Sequence, residues 1–546
     1  MKNKRSTLLL FILMLVVSMF LAACAGGGSD NNASDSGDKN KDDDKTTEEG
    51  TTDEGAEGGD LVLAVLSDAS SLDPHGSNDV PSSVVQDNIF ETLVTRNDDN
   101  EIEPGLATEW NAIDDTTWEF KLQEGVKFHD GEDFNAEAVK KSFERVLDEK
   151  VASPRYFLFE MVNSVDVIDD YTVQFKTDYP FAPLLAHLSH NGGSIISPKS
   201  IDEDYAAMED GKEPGSVISE HPVGTGFFKF DSWSPGSEIK LVKNDDYWNG
   251  TAKVDSVAFK VVPESATRVA ELETGNAHII DPVQPNEVAR INDSGNATVD
   301  QTPSSSLSYI GFNTEKAPFD DVRVRQAISM VVNKDEMIEG VYEGFGVPAK
   351  GPLAPGIFGY DEDLKAIEQN PEEAKKLLEE AGYGDGFSTT IWTNDNPQRV
   401  DMAVLLQQKL KDLNIDVKIE QMEFGTYLEK TAAGEHDMFI LGWSNPTGDA
   451  DYGLYALFHS SQKGDPGNRS FYDNAEVDKL LDEGRKETDP DARVDIYAKA
   501  QEQIVDDAPM IFIHHQEYLV GVSDKVKGFS IDQAGIYQLK DVTLSE

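Results

Sequence analysis

One cysteine, Cys24, stands in a chain of 546 residues, so no disulfide closes within it. Basic residues are scarce: 47 Lys and Arg face 102 Asp and Glu, a formal net charge of −55. Nucleic acid and anionic lipid head groups are recognised through basic patches, so both are excluded as direct partners. The acids are spread along the chain rather than clustered, which reads as a solvated surface suited to high salt or alkaline medium. Motifs of catalysis are missing as well. There is no Gly-x-Ser-x-Gly elbow, no His-Glu-x-x-His and no Gly-x-x-x-x-Gly-Lys-Ser/Thr phosphate loop, and Gly224-Thr225-Gly226 lacks the third glycine of a dinucleotide fingerprint. His187 and His190 lie in the apolar run APLLAHLSH, and His514-His515 follows PMIFI. Both pairs read as packed histidines rather than metal ligands. No cofactor, metal or catalytic residue is therefore expected.

Beyond the first two dozen residues no segment is long and apolar enough to span a bilayer. At the start, Lys2, Lys4 and Arg5 precede an apolar run from Leu8 to Ala23, the pattern of a secretory signal over residues 1–23. It ends in Leu21-Ala22-Ala23-Cys24, which resembles a bacterial lipobox, in which the cysteine is lipidated and becomes the first mature residue. That resemblance implies a Gram-positive-type surface lipoprotein, held to the outer face of the cell membrane by lipid on Cys24. Residues 24–59 are otherwise polar and acidic without one large apolar side chain, so they read as a disordered tether.

The remainder is too long for one core, and two or three lobes are expected. Leu61–Leu66 reads as a buried strand, and Ser70 lies in the loop behind it. Trp118–Phe128 reads as a hairpin with a Glu-Gly turn, and Asn135 caps a helix carrying Val139, Phe143 and Val146 on one face. Between 370 and 443 strands and helices alternate: a helix capped by Asn370 with Pro371 behind it, then strand 388–393, a helix from about 398 to 413, strand 416–422, a helix near 427–433 and strand 437–443. Alternation of this kind predicts a parallel α/β lobe.

In open α/β sheets ligands gather beyond the carboxyl ends of the strands. Arg399 leaves one such end, and the loop holding Asp449 and Asp451 leaves another. Arg399 sits in the first turn of its helix, the wrong end of the dipole for a cation, which suits a bidentate carboxylate partner. Trp443, Trp392 and Tyr452 are candidate pocket walls, with Ser70 a further candidate contact. A secreted hydrolase using Asp449 and Asp451 as acid and base is the distant alternative, since no substrate-activating group accompanies them.

Several stretches together resemble one family: Gly105–Trp110, Trp118–Leu122, Gly125–Gly131, LDPH at 72–75, PVGTGFFKF at 222–230, NDDYWNG at 244–250, FNTEKAPFDDVRVRQAISMVVNKDEMI at 312–338 and GWS at 442–444. They are similar, in order and over nearly all of 60–546, to the family five extracellular solute-binding proteins, the peptide-, nickel- and glutathione-binding receptors of ABC importers. The resemblance implies a two-lobed α/β fold of the periplasmic-binding-protein type (type II, cluster C), hinged around a central cleft, with an additional small domain. By the same resemblance lobe I takes 60–90, 221–311 and 516–546, the extra domain 91–220, and lobe II 312–515. It implies no enzyme but a monomeric receptor that captures a small peptide, oligopeptide or glutathione-like, and delivers it to an ABC permease. A nickel-chelate receptor is the alternative within the family. Family dipeptide binders place an ammonium-binding aspartate three residues after the tryptophan matching Trp443; here that position is Pro446, so Asp449 or Asp451 is the expected substitute. Arg399 matches the region of the family's carboxylate-binding arginine.

Overall fold

Strand 438–443 (MFILGW) shows how this sequence builds its sheet. Met438 and Ile440 point into one apolar cluster, while Phe439 and Leu441 point into another. A strand buried on both faces needs such an unbroken apolar run. Each fully buried side chain of this size contributes about 1.5–3 kcal/mol.

The structure, a computed structural model, describes residues 57–97 and 100–545. The signal, Cys24 and nearly all of the predicted tether lie outside the described residues. Among the described residues no helix is long and apolar enough to cross a membrane.

An eleven-stranded sheet runs through the molecule. At one flank Asp416–Gln421, Ser388–Thr393 and Met438–Trp443 lie parallel. At the other, Ile279–Asp281, Asp60–Val65 and Ser256–Val261 lie parallel, followed by the antiparallel Glu238–Lys243 and Phe228–Ser234. Two long antiparallel strands, Ala297–Phe312 and Met510–Ser523, join the flanks. Their register breaks between Pro303, opposite Glu517, and Leu307, opposite His515. In that break Ser304 Oγ donates to the Gln516 carbonyl at 2.6 Å, and Ser305 Oγ reaches the carbonyls of Gln533 and Asn445 at 2.9 and 3.2 Å.

The predicted α/β alternation of 370–443 is present almost to the residue. Asn370 caps helix Pro371–Glu380, and Pro397–Leu410 and Phe424–Ala432 separate the three parallel strands. The predicted hairpin over 118–128 is corrected. Thr117–Leu122 pairs instead with Ala107–Asp114 on one side and Thr172–Thr177 on the other, in a four-stranded antiparallel sheet completed by Val162–Asp169. The turn at Gly125 does form, but Val126 and Phe128 beyond it are buried in the core, and only Lys127 makes a bridge, to Asp133. Helix Ala136–Val146, capped by Asn135 as expected, covers this sheet, with the Phe143 ring edge-on to Phe159 and Phe175 at 5.0 and 4.8 Å.

Candidate ligand-binding cleft

The parallel strands Ser388–Thr393 and Met438–Trp443 are direct neighbours, so their carboxyl ends open on one edge of the sheet. A partly open cavity of about 630 Å³ lies there, walled also by Val65 at the end of strand Asp60–Val65, the segment 78–96 and the loop 532–538.

Arg399 lines it. The preceding loop positions this side chain: Asn396 caps the helix by accepting from the Arg399 backbone N–H at 3.1 Å, and the Asn394 side-chain oxygen accepts from the guanidinium at 3.1 Å. Among the described residues no carboxylate stands within 4 Å of it. Gly442 lies underneath, and a Cβ there would come within 3.4 Å of the guanidinium. Trp443 and Tyr452 also line the cavity, stacked with ring centroids 5.2 Å apart and planes 28° from parallel. The Trp443 indole nitrogen is buried without a partner among the described residues.

The other expected site residues sit elsewhere. Asp449 caps helix Ala450–Phe458, and its two oxygens accept from the Arg493 guanidinium at 2.8 and 2.7 Å. Asp451, 1% exposed, lies 3.2 Å from Arg485 Nε and 3.1 Å from His187 Nε2. Burial pushes the Asp451 carboxyl upward, but Arg485 and then His187 outweigh it and hold the group below its ordinary range. Neither aspartate lines the cavity. The expectation that one of them meets a ligand's amine is therefore corrected: both carboxylates already have buried cationic partners. Trp392 is packed in the core beside Phe439 and Tyr427, and Ser70 is exposed, bonded to Asp79 and Ser82; neither lines the cavity. His187 and His190 are packed as predicted, His187 Nδ1 lying 2.8 Å from the Leu158 carbonyl.

Sequence reasoning missed Asp87. It ends helix Val80–Gln86 and lines the cavity with no hydrogen-bond or ion-pair partner for its carboxylate among the described residues. Burial, with the neighbouring Asp532 adding to it, pushes this carboxyl up from its ordinary value to about 7. The signal was present in the sequence: an anion at the carboxyl end of a helix opposes the dipole as Arg399 opposes it at an amino end. Asp532 lines the cavity too, accepting from the Ala534 and Ile536 backbone N–H groups at 2.8 and 2.9 Å, and burial raises its carboxyl as well. Arg155, 1% exposed, lines the same wall with its Nε unpartnered. Arg96 crosses to the loop after Trp443, donating to the Pro446 carbonyl at 2.6 Å, and burial lowers its guanidinium to about 10. It passes over Gly448, whose φ of +62° and missing Cβ leave it room.

Two α/β flanks sharing a pair of long strands around a cavity form the type II periplasmic-binding-protein architecture. The model of the bacterial extracellular solute-binding proteins, family 5 Middle, matches residues 101–465. The chain is 33% identical over 497 residues to the glutathione-binding protein GsiB of Pectobacterium atrosepticum, covering 89% of this chain and 94% of that protein. It is 32% identical over 467 residues to the dipeptide-binding protein of Escherichia coli K12, covering 81% and 86%. Among solved structures, the periplasmic binding protein DppA of Helicobacter pylori in complex with the peptide STSA superposes with a TM-score of 0.83 at 35% identity, over 90% of this chain and 99% of that one. The chain belongs to family 5 of the bacterial extracellular solute-binding proteins.

Proposed function

We propose that this protein is the receptor of an ABC importer for small peptides, closing its two lobes on a zwitterion and handing it unchanged to the permease. The observation that carries the reading is a pair of opposite charges lining one cavity with no ion-pair partner among the described residues, the Arg399 guanidinium and the Asp87 carboxylate. Arg399 takes the peptide carboxylate in a bidentate pair, and Asp87 takes the ammonium. Trp443 and Tyr452 form an apolar wall for the side chains between them. A volume of about 630 Å³ suits a small peptide. In this reading the lobes are 60–90, 221–311 and 516–546 against 312–515, with 91–220 as the extra domain.

At the membrane we propose that Cys24 carries lipid and that the acidic stretch behind it lets a monomeric receptor reach its permease from the outer face. Calorimetry with mixed peptides and glutathione tests the receptor reading: 1:1 binding with no product formed is expected, and no heat with any peptide refutes it. Labelling of growing cells with a palmitate analogue tests the anchor. Incorporation is expected in the natural chain and none in Cys24→Ala, and equal labelling refutes it.

A further inference from the structure

The cavity wall holds seven carboxylates and four guanidiniums. One guanidinium, Arg469, is paired with Asp465, outside the wall, at 2.5 Å. The other three, on Arg96, Arg155 and Arg399, have no carboxylate within 4 Å among the described residues. None of the seven carboxylates has an ion-pair partner there either. Elsewhere in the interior the pattern is opposite. Asp73 and Asp204 share Arg145 at 2.7 and 3.0 Å, and Asp449 and Asp451 hold Arg493 and Arg485. Acids of the wall are therefore left without a contacting cation among the described residues, and they outnumber the unpaired arginines of the wall seven to three.

Hydrogen bonds within the protein answer part of that excess. Asp68 accepts from Trp233 Nε1, Glu91 from Thr225, Tyr247 and Trp248, and Asp281 from Tyr537. These neutral donors supply no positive charge. Burial raises the Glu91, Asp281 and Asp532 carboxyls, outweighing their hydrogen bonds and the more distant Lys540, Arg268 and Arg96 respectively. The Glu517 carboxylate has no hydrogen-bond or ion-pair partner among the described residues, and the residue stands at the register break of the two long strands. A zwitterionic peptide of neutral side chains brings one ammonium and one carboxylate, which leaves the excess where it was.

Resting on the peptide-receptor reading, we infer that the ligand carries a net positive charge: a short peptide with a lysine or arginine side chain, whose second cation is met by Asp532 and Glu517. Glutathione, with two carboxylates and one ammonium, is the wrong charge for this cavity.

The test is calorimetry on the full chain with alanine peptides of two to five residues, the same peptides bearing one lysine or one glutamate, and glutathione. At the best-bound length the lysine peptide is expected to bind about tenfold tighter than the alanine peptide, with the glutamate peptide and glutathione weaker than both. The lysine advantage should shrink as salt is raised and fall below about threefold in Asp532→Asn or Glu517→Gln, each matched to the natural chain in melting temperature. The variants preserve shape and hydrogen-bonding oxygen while removing charge. Equal or weaker binding of the lysine peptide overturns the inference and leaves the peptide receptor standing. A lysine advantage untouched by salt and by both variants also overturns it. No binding by any peptide overturns both.

Discussion

Two populations of acid, one fully buried and one half-buried along the cavity, are treated in opposite ways in this protein. Behind helix Ala450–Phe458, Asp449 and Asp451 are locked to Arg493 and Arg485, and beneath the four-stranded sheet Asp73 and Asp204 are locked to Arg145. Along the cavity, Asp87 and Asp532 have no cation within 4 Å among the described residues, and Arg399 has no anion. Burying a charge without a partner costs several kcal/mol after relaxation. A fold that pairs its acids in the walls and leaves them unpaired in the cleft keeps that cost where a ligand can relieve it.

The largest effect expected is in the walls. Arg493→Met leaves Asp449 buried and alone and should cost ~3–5 kcal/mol of stability in urea unfolding; a loss under about 1 kcal/mol would erase the contrast between the two populations. In the cleft the balance is reversed. Arg399→Glu should weaken the best-bound peptide by at least ~2 kcal/mol while shifting stability by only about 0.5 kcal/mol. An unchanged affinity would remove Arg399 from the site.

A third experiment reads protons. The Asp87 carboxyl is raised to about 7 in the folded protein, so between its ordinary value and 7 the folded chain holds a proton that the unfolded chain has released. Stability without ligand should therefore fall as pH rises through that window, and Asp87→Asn should flatten this part of the profile. When an ammonium docks, the carboxyl ionises, so binding near pH 6 should release up to about one proton. Calorimetry in buffers of different ionisation enthalpy measures the release, and none at all would mean that Asp87 does not meet the cation. The smallest effect is at Ser70, whose replacement by alanine should cost under about 1 kcal/mol of stability through its bonds to Asp79 and Ser82. Peptide affinity should not change, and a clear loss would bring Ser70 back to the cleft.

Periodicity and capping made the lobe from 370 to 443 legible because its strands are buried on both faces and its helices carry strong end signals: Asn370 with Pro371, and Asn396 with Pro397. The same reading put Arg399 and the Asp449 loop on one sheet edge, where they lie. What it could not give was the partner of each charge. Arg493 and Arg485 come from helices about forty residues downstream of Asp449 and Asp451, and no local pattern announces that meeting. Resemblance to the family carried the architecture further than the residues alone, yet at Pro446 it pointed to no acid. Asp87 escaped for a different reason: its helix is only seven residues long, and a lone aspartate after it reads as a turn former. Judging it by the dipole, as Arg399 was judged, finds it. The hairpin over 118–128 failed because alternation marks a strand without naming its neighbour.

The break in the two long strands has a mechanical consequence. Ladder pairing resumes on both sides of residues 304–306, and across the gap itself the Ser304 hydroxyl reaches the partner strand, a bond that can swivel to a new acceptor as the angle between the flanks changes. A joint so made can open and shut with every rung of its ladder intact, so each cycle of uptake is spared the slow step of remelting secondary structure.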